Sequence, residues 1–533
     1  MASFDFVVVG AGTYGLAAAQ HLRYTHPDAS LAIFEDQASL GGTWATERLY
    51  PGLKSNKLFG TYEFPGYPMK GDPFGVKVGQ HIPGVVINAY LTAFAKDSGI
   101  ADLIHFNTKV LSAEHQDHSE QGGRILALET LGQPEKKTVL AHRLGQEDFG
   151  GKLFHTRDFK QNSDTLKSAK AVTIFGAGKA GWNAVYEYAT AGVKVNWIIR
   201  ASGHGPCWMS PPYVTPLKKW IEKLATTRLL TWFSLCIWGE ADVSTFWKIL
   251  HNDVLNLNDY DSHPDTAKLK PWIEPMFTGG SVSIFDYEKD ILELIKTDII
   301  DMHVADIDHL SAGKVNLTDG TVFETDVLVA STGWKPMSTI KFLPEGIEKE
   351  LGIPHPNVTH RGSNYKPASD GEDLTPYMLH RYIVPPAPHF LRNRDVAFTG
   401  MISNTNNPPT AHLSGLWISA YFAGKLMNDP SAALLYETVL YNRFGKWRYP
   451  IDWGNKCPNF IFDAVPLFDM LQRDLGLNPH RKKGWLAEFT KPYGADDYQD
   501  VTDEWLRLNR GWKYNYLRGR TIDFRVPIAE CSS

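Results

Sequence analysis

Two separate stretches of the chain show the same succession of apolar and polar positions. A short, largely apolar run comes first, over residues 4–9 in one stretch and 171–175 in the other, and each run ends at a cluster of glycines. Apolar runs of this length, bounded by a turn signal, predict buried parallel strands. After the first cluster, residues 16–23 show the spacing of a helix. The pattern therefore predicts an α/β fold with two related units.

The first glycine cluster has the spacing of a loop that approaches a phosphate. It reads Gly10-Ala11-Gly12-Thr13-Tyr14-Gly15 and stands between the predicted strand and the predicted helix. In such a loop Gly10 permits the tight turn, Gly12 lets the backbone approach a pyrophosphate, and Gly15 lets the helix pack on the strand. The N-terminus of the helix then offers N–H groups and a positive dipole end to the phosphates. The loop predicts a dinucleotide-binding site.

A carboxylate follows at the position that selects the dinucleotide. The next apolar run, residues 31–34, ends at Glu35, about 20 residues beyond Gly15. A carboxylate there accepts hydrogen bonds from the ribose hydroxyls and repels a 2′-phosphate. The first unit is therefore predicted to bind FAD or NAD rather than NADP.

The second glycine cluster carries the opposite charge at the corresponding position. It reads Gly176-Ala177-Gly178-Lys179-Ala180-Gly181, and the strand predicted after it, residues 195–199, ends at Arg200. An arginine at this point is typical of sites that accept the 2′-phosphate of NADPH. The alternative is that Arg200 is only a solvated strand end. One acidic and one basic unit together indicate a flavoprotein that is reduced by NADPH.

A longer motif lies between the two units. Residues 149–160 match F-x-G-x-x-x-H-x-x-x-F-K at every position, and Asp164 closes the motif. With this motif the sequence resembles the flavin-containing (class B) monooxygenases, in a form similar to fungal members and related to the Baeyer–Villiger monooxygenases. Baeyer–Villiger enzymes carry Trp where this chain has Phe159, which favours the branch that oxygenates heteroatoms.

Shorter segments extend the resemblance to about residue 430 and imply further cofactor contacts. The residues concerned are Gly42, Thr43 and Trp44 in a turn against the flavin, Val110 beside the adenine, Thr332 and Gly333 where the chain returns to the FAD domain, and the late pattern at 409–411 and Trp417. The chain departs from the family at Ala180, often Ser, and at His412, Ser414 and Leu416. These departures leave cofactor use intact and leave the substrate undetermined.

The resemblance implies a reaction as well as a fold. In this family NADPH reduces FAD, O2 adds to form a flavin C4a-(hydro)peroxide, and a substrate takes up one oxygen atom. We expect a nucleophilic nitrogen or sulfur, or an electron-rich carbon, of a small apolar or aromatic molecule of secondary metabolism. Baeyer–Villiger conversion of a ketone to an ester or lactone is the first alternative. An NADPH oxidase that releases hydrogen peroxide is the second.

One residue is a candidate for the catalytic centre. Asn56 follows Tyr50-Pro51-Gly52 near the place where the family has an active-site Asn, and Baeyer–Villiger relatives place Asp after a similar sequence. An amide can donate a hydrogen bond to a hydroperoxide without requiring its deprotonation. The alternative is that Asn56 only shapes a turn. The ketone-oxidising branch also uses an Arg to stabilise negative charge, and residues 277–284 contain none.

The composition narrows the class of protein. The 533 residues are 43% hydrophobic and 21% charged with a net charge of -5, which excludes disordered and fibrous classes and argues against nucleic-acid binding. Four cysteines without a C-x-x-C pair favour a reducing compartment and indicate no zinc site. The histidines lack metal-ligand spacing, so no metal is expected. Aromatic residues make up 12% of the chain, enough for a large core, an apolar pocket or both.

No signal peptide is recognised at the N-terminus, and a cytoplasmic protein is expected. The longest mostly apolar run, residues 229–238, is much shorter than the roughly 20 residues that span a bilayer. A peripheral membrane contact through this run and the oligomeric state both stay open.

The order of the motifs predicts the domain organisation. The FAD domain comprises residues 1–166 and 331–435, and the NADPH domain, 167–330, is inserted into it. Within the NADPH domain, residues from about 203 to 271 exceed an ordinary crossover and predict a helical insertion, either a lid over the substrate channel or a packing or dimer surface. Residues 436–533 form a C-terminal extension.

Overall fold

The computed structural model describes residues 3–69, 76–116, 123–130, 145–214, 219–220, 223, 226–235, 240–274, 282–333, 338–355, 375, 377–402, 404–427, 433–448, 463–509 and 522–525. Most of the Pro-rich segment after residue 354 lies outside these residues, as do Cys236, Cys457 and Cys531.

The described strands, numbered in chain order, are β1 (Ser3–Phe4), β2 (Phe6–Val9), β3 (Leu31–Phe34), β4 (Lys54–Leu58), β5 (His81–Pro83), β6 (Ile104–His105), β7 (Thr108–His115), β8 (Arg124–Thr130), β9 (Lys152–His155), β10 (Ala171–Phe175), β11 (Lys194–Ile199), β12 (Trp208–Ser210), β13 (Tyr213–Val214), β14 (Lys219–Trp220), β15 (Val282–Ile284), β16 (Ile300–Val304), β17 (Ile307–Ser311), β18 (Lys314–Leu317), β19 (Val322–Glu324), β20 (Val327–Ala330), β21 (Lys341–Leu343) and β22 (Ile522–Arg525).

The described α-helices are Thr13–Thr25, Gly84–Asp97, Thr165–Ser168, Lys179–Thr190, Arg228–Leu235, Glu240–Asn258, Pro264–Ala267, Ile291–Ile295, Glu348–Leu351, Pro388–Asn393, Asn407–Phe422, Ala433–Arg448, Ala464–Asp474, Trp485–Thr490 and Val501–Leu508.

The first unit is built on a parallel sheet of order β2-β3-β6. The helix Thr13–Thr25 covers it, and the late helix Asn407–Phe422 packs against that helix. The run at residues 4–9 was predicted as one strand, but it forms two strands that are separated at Asp5. The Asp5 carboxylate accepts hydrogen bonds from Ser30 N (2.8 Å) and Ser30 Oγ (2.7 Å), which interrupts the run. A second sheet of order β1-β22-β8-β7-β21 stands beside this unit.

The second unit is a five-stranded sheet of order β16-β11-β10-β20-β9, in which every pairing is parallel. The helix Lys179–Thr190 packs on β10 and β11. Its Trp182 is fully buried and meets Trp197 of β11 edge to face, with ring centroids 5.0 Å apart. Both glycine clusters therefore stand at the carboxyl ends of parallel strands, where nucleotides bind in such folds.

The insertion at about 203–271 begins with strands rather than with helices. A helical insertion was expected, but β13 pairs antiparallel with β14, so the described residues 213–214 and 219–220 are in strands. The first helix of the insertion whose bounds are described is Arg228–Leu235. Arg228 binds Asp469 through two hydrogen bonds, of 2.6 and 2.8 Å, which ties the insertion to the C-terminal extension.

The insertion, the helix Asn407–Phe422 and the described part of the C-terminal extension share one apolar core. Trp208 and Trp247 of the insertion are 1% exposed and belong to the same buried cluster as Trp417 and Trp505. These residues show that much of the aromatic content serves the core. Trp485, by contrast, is 81% exposed. The helix Ala433–Arg448 runs across the domain boundary predicted after residue 435, and the predicted domain limits stay predictions.

None of the helices described here is long and apolar enough to cross a membrane. Within the same described part of the chain, no group of three or more His, Cys, Asp or Glu residues is placed to hold a metal ion.

Candidate active site

The first glycine loop joins β2 to the helix Thr13–Thr25. Gly10 has a φ of 98°, a left-handed angle that glycine adopts without strain, and its N–H donates to Phe34 O at 2.7 Å. A Cβ on Gly15 would lie 2.0 Å from Gly10 O, so only glycine allows the helix this close to the turn. Gly12, the N-cap, offers no side-chain acceptor to the first N–H groups of the helix, which leaves them for an anion.

Glu35 closes the other side of this loop. Its Oε2 accepts a hydrogen bond from Ala11 N–H at 2.7 Å and its Oε1 accepts one from Gln37 N–H at 2.9 Å. The side chain is buried, and burial raises the pKa of Glu35 to about 7, against the lowering effect of the Ala11 N–H. A buried acidic side chain beside the first glycine loop is suited to accept hydrogen bonds from ribose hydroxyls.

The turn that contains Gly42 and Trp44 lies directly against the loop. Gly41 N–H donates to Ala11 O at 2.9 Å. A Cβ on Gly42 would lie 3.2 Å from the Cα of Gly12, and the φ of Gly42 is 62°. The two backbones therefore form one narrow surface, with Thr43 exposed beside it.

Two residues that were not predicted fix this turn. The Tyr62 hydroxyl accepts a hydrogen bond from Trp44 Nε1 at 3.2 Å and lies 3.3 Å from Thr13 Oγ1. Asn88 Nδ2 donates to the carbonyl oxygens of Leu40 (3.0 Å) and Trp44 (2.8 Å). Neither Tyr62 nor Asn88 belongs to a recognisable motif, so sequence reasoning had no signal for them.

Tyr14 and Val110 occupy the flanks of the same region. Tyr14 OH donates to Asn407 Oδ1 at 3.4 Å, so the loop contacts the start of the late helix Asn407–Phe422. Burial raises the pKa of Tyr14 well above its usual range. Val110 is buried in β7, and Thr108 N–H at the start of that strand donates to Glu35 O at 2.8 Å.

The second glycine loop repeats the geometry of the first. Gly176 has a φ of 114°, its N–H donates to Ile198 O at 2.9 Å, and a Cβ on Gly181 would lie 2.2 Å from Gly176 O. Gly178 is the N-cap of the helix Lys179–Thr190, and a Cβ there would meet no atom within 4 Å. Ala180 is exposed in the first turn. The backbone therefore leaves space for a pyrophosphate at Gly178.

The side chain of Lys179 points away from this space. Its Nζ donates to Ile284 O at 3.0 Å and to Tyr287 OH at 3.3 Å, and it forms an ion pair with Asp286. The ammonium also lies 4.4 Å from the centroid of the Tyr287 ring. Burial lowers the pKa of Lys179, although Asp286 raises it. The three N–H donors of the ammonium are thus used within the protein.

Arg200 stands in the turn after β11. Its side chain is exposed, and its carbonyl oxygen accepts a hydrogen bond from Gly203 N–H at 3.2 Å. Ser202 in the same turn donates from Oγ to Asp306 Oδ1 at 2.8 Å, which holds the turn against the sheet. An exposed guanidinium at this strand end is free to move onto a 2′-phosphate.

The segment with Thr332 and Gly333 adjoins the second loop. A Cβ on Gly176 would lie 2.3 Å from Ser331 O, and Ser331 N–H donates to Phe175 O at 2.8 Å. Thr332 and Gly333 follow as exposed residues. The backbone of Gly333 also forms a hydrogen bond with His155 of the 149–160 motif, which raises the pKa of that histidine against the larger lowering effect of burial.

The 149–160 motif joins the two units. Phe159 is buried and stacks on Tyr188 of the second unit, with ring centroids 5.3 Å apart. Lys160 Nζ donates to Thr46 O at 2.8 Å, close to the turn with Trp44. The motif therefore contacts both units.

Asn56 lies on β4, at the same boundary. Its Oδ1 accepts a hydrogen bond from Ser283 Oγ at 2.9 Å, and Ser283 belongs to β15. Within 277–284, only 282–284 fall in the part of the chain that the structure describes, and these residues carry no Arg. Ser283 and Asp286 were not predicted from the sequence. In the structure Ser283 contacts Asn56, and Asp286 pairs with Lys179.

Comparisons with known proteins show which proteins this chain is similar to. Residues 8–66 match the family model described as an NAD(P)-binding Rossmann-like domain. The FAD-dependent monooxygenase DEP4 of Alternaria brassicicola is 28% identical, over 96% of this chain and 96% of its own length. The FAD-dependent monooxygenase resA of Aspergillus sclerotiorum is 27% identical, over 94% of this chain and 98% of its own length.

The chain resembles the fungal FAD-dependent monooxygenases along nearly its whole length. The family resemblance predicted from residues 149–160 is thereby confirmed.

Among solved structures, this relative of the FAD-dependent monooxygenases is similar to cyclohexanone monooxygenase from Rhodococcus sp. Phi1 bound to NADP+. The TM-score is 0.60 with 16% identity, over 96% of this chain and 98% of that chain. At this identity the likeness concerns the fold, and it confirms the predicted α/β architecture with two dinucleotide-binding units.

Proposed function

We propose that this protein oxygenates a nucleophilic nitrogen or sulfur atom of a small organic molecule. Relatives that match nearly the whole chain are FAD-dependent monooxygenases, which supports FAD-dependent monooxygenase activity here. NADP is proposed as the second cofactor from the second glycine loop and Arg200. The atom that is oxygenated and the substrate are part of the proposal.

The observation that carries the proposal is the position of Asn56. A neutral carboxamide lies where the first unit meets the second, 2.9 Å from Ser283 Oγ. A carboxamide donates hydrogen bonds without adding charge, whereas ketone oxidation calls for a cation that stabilises an anionic adduct. Lys179, which donates to Ile284 O next to Ser283, already pairs with Asp286. This environment favours attack by a neutral, electron-rich nitrogen or sulfur.

FAD and NADPH supply the redox chemistry when they are bound: two electrons from NADPH and one O2 yield the oxygenated product and water. The chain's own residues bind and orient these groups. Glu35 and the first glycine loop suit the adenosine and pyrophosphate of FAD, and Arg200 with Gly178 suits NADPH. Lys160 of the 149–160 motif holds the segment after Trp44 through Thr46 O, and Asn56 contacts Ser283 of β15.

The insertion and the C-terminal extension are proposed to cover the substrate. Their shared core contains Trp208, Trp247 and Trp505, each of which is at most 1% exposed. A cover built on such a rigid core excludes water from the reaction. An apolar or aromatic metabolite is the substrate class that fits this composition. A cytoplasmic location is proposed on the small number of cysteines alone.

Product analysis tests the proposal. The FAD-loaded protein is supplied with NADPH, 18O2 and a panel that contains an aryl methyl sulfide, an N,N-dialkylaniline and a cyclic ketone. We expect one 18O atom on sulfur or nitrogen. Incorporation only into an ester or lactone transfers the assignment to Baeyer–Villiger chemistry, and peroxide in a one-to-one ratio with NADPH, with no labelled product, assigns an oxidase.

The variant Asn56→Asp sharpens the test because it changes charge at nearly constant shape. A carboxylate cannot donate the amide hydrogen bond, so we expect less product per NADPH by about ten-fold, equivalent to the ~1.4 kcal/mol of one hydrogen bond. An unchanged yield from Asn56→Asp contradicts the role of Asn56. Asn316→Asp, on β18 and outside both glycine loops, is the matched control, because the Asn316 amide is hydrogen-bonded as well.

A further inference from the structure

The hydrogen bond between Ser283 and Asn56 fixes how the Asn56 amide is turned. Ser283 is 3% exposed, so water does not compete for its hydroxyl. Because Ser283 Oγ donates to Asn56 Oδ1 at 2.9 Å, the carboxamide oxygen faces β15 and the Nδ2 donors face the other way. The serine thus decides which end of the amide is presented to the boundary between the two dinucleotide sites.

Ser283 is itself held from both sides. Its strand, β15, pairs in parallel with β12, with Met209 opposite Ser283, and Phe285 N–H donates to Ser210 O at 2.9 Å. On the other side, Lys179 Nζ donates to Ile284 O at 3.0 Å. A strand clamped in this way has little freedom to move its serine away from Asn56.

The contact that holds β15 on this side comes from Lys179, in the second glycine loop. Lys179 is the first residue of the helix that follows Gly178, and it pairs with the buried carboxylate of Asp286. Tyr287, next to Asp286, donates from its hydroxyl to Asn183 Oδ1 at 3.0 Å. Asn183 Nδ2 in turn donates to Tyr50 OH at 2.9 Å. The segment 50–58 is therefore contacted at two residues, at Asn56 by Ser283 and at Tyr50 by Asn183.

We propose that Ser283 is a positioning residue, held in place by the Lys179–Asp286 ion pair, that orients the Asn56 amide for the oxygenation step. The inference rests on the proposed function, because it assigns Asn56 to the step that follows reduction by NADPH. It makes that step depend on a contact between the NADPH-binding and FAD-binding parts. Ser283 then has no part in NADPH binding or hydride transfer.

A double-mutant cycle on the full-length, FAD-loaded protein tests this inference. The variants are Ser283→Ala, Asn56→Ala, the double variant, and Ser283→Thr, which keeps the hydroxyl. Ser311→Ala is the matched control, because Ser311 Oγ also forms a hydrogen bond with an asparagine, here as the acceptor from Asn316 Nδ2 at 3.1 Å, in a hairpin without predicted site residues. The readouts are the NADP+ dissociation constant by calorimetry, the rate of anaerobic flavin reduction by NADPH, and the oxygenated product and peroxide released per NADPH.

The expected pattern separates positioning from general damage. In Ser283→Ala the NADP+ affinity and the reduction rate change by less than about two-fold, while product per NADPH falls about five-fold, as one lost hydrogen bond allows. Asn56→Ala gives a similar loss, and the double variant is no worse than Asn56→Ala. Ser283→Thr restores at least half of the yield, and Ser311→Ala behaves as the unaltered protein.

Other outcomes overturn the inference. Additive losses in the double variant show that Ser283 acts independently of Asn56. If Ser283→Ala lowers the NADP+ affinity and the reduction rate as much as it lowers the product yield, Ser283 has a structural role. If the unaltered protein oxygenates no substrate, the proposed function fails, and the cycle is then evaluated on the aerobic rate of peroxide release: non-additive effects of Ser283→Ala and Asn56→Ala support positioning, and additive or absent effects refute it.

Discussion

The Glu35 carboxylate accepts hydrogen bonds from Ala11 N–H at 2.7 Å and from Gln37 N–H at 2.9 Å. One oxygen therefore holds the first glycine loop and the other holds the turn after β3. Through this double contact a single side chain shapes both the loop and the turn at the edge of the proposed FAD site.

Glu35→Gln is expected to weaken FAD binding. A carboxamide has one acceptor oxygen, so one of the two buried N–H groups loses its partner, at a cost of about 1–3 kcal/mol. FAD affinity should fall at least ten-fold, which is measured by titrating the apoprotein with FAD. Asp5→Asn is the control, because Asp5 also accepts two hydrogen bonds, from Ser30, but at the opposite end of β2. Equal losses in both variants would show a general effect on the unit.

Arg200→Ala is expected to separate NADPH from NADH. The guanidinium is exposed at the end of β11, where it would meet the 2′-phosphate that only NADPH carries. The KM for NADPH should rise by about ten-fold or more, since a charge-assisted bidentate contact is lost, while the KM for NADH stays within about two-fold. Steady-state kinetics with both cofactors measure this. An equal rise for both would refute the assignment of Arg200.

The sequence allowed the two units to be predicted because each glycine has a local mechanical task. Gly15 and Gly181 each approach a carbonyl oxygen of their own loop, and such requirements appear directly as glycines at fixed spacing. The insertion was harder to predict. Its β13–β14 hairpin depends on pairing between strands of only two residues each, and so short a pattern carries no periodic signal.

The candidate site was predictable only where contacts are local. Glu35 and Arg200 stand at strand ends, so their positions follow from the unit itself. Ser283 meets Asn56 across a separation of 227 residues, and no periodicity or motif records such a pairing. The ion pair of Lys179 with Asp286, 107 residues away, was hidden in the same way.

Lys179→Met is expected to destabilise the protein through Asp286. The substitution leaves the buried Asp286 carboxylate without its counter-ion, which typically costs about 3–5 kcal/mol. The thermal unfolding midpoint should fall markedly in Lys179→Met. The double variant Lys179→Met with Asp286→Leu should recover most of the loss, because no unpaired charge stays buried. No recovery in the double variant would show that packing, rather than charge, explains the loss.

Stability is expected to fall in acid because of a buried histidine pair. His21 Nε2 lies 3.2 Å from His412 Nδ1, and burial lowers the pKa of His412 to about 3 and that of His21 well below its usual range. The unfolded chain binds protons on both residues below about pH 6.5, whereas the folded chain does not. Each histidine therefore removes up to ~1.4 kcal/mol of stability per pH unit as the pH falls from about 6.5 towards 3.

Urea unfolding at pH 7.5 and 5.0 measures this effect. His412→Gln should lose less stability on acidification than the unaltered protein, since one titrating group is removed. His309→Gln, which alters an exposed histidine, should keep the original pH dependence. Parallel pH profiles for His412→Gln and the unaltered protein would contradict the buried neutral pair.

Gly178→Ala and Gly181→Ala are expected to fail in different ways, although both alter the same loop. A Cβ on Gly178 meets no atom within 4 Å, and its φ of -72° is one that alanine adopts easily. Gly178→Ala should therefore fold with an unchanged unfolding midpoint, while the new methyl group occupies the space where the pyrophosphate approaches. The NADP+ dissociation constant should rise at least about ten-fold.

In Gly181→Ala the new Cβ would lie 2.2 Å from Gly176 O, a distance that only movement of the helix away from the loop can relieve. Gly181→Ala should therefore be less stable than the unaltered protein. Its unfolding midpoint should fall by several degrees, because the strain amounts to about 1 kcal/mol or more. Calorimetry and thermal unfolding on both variants decide the matter. If Gly178→Ala binds NADP+ as tightly as the unaltered protein, the phosphates do not approach the backbone at Gly178, and the second unit binds its nucleotide elsewhere.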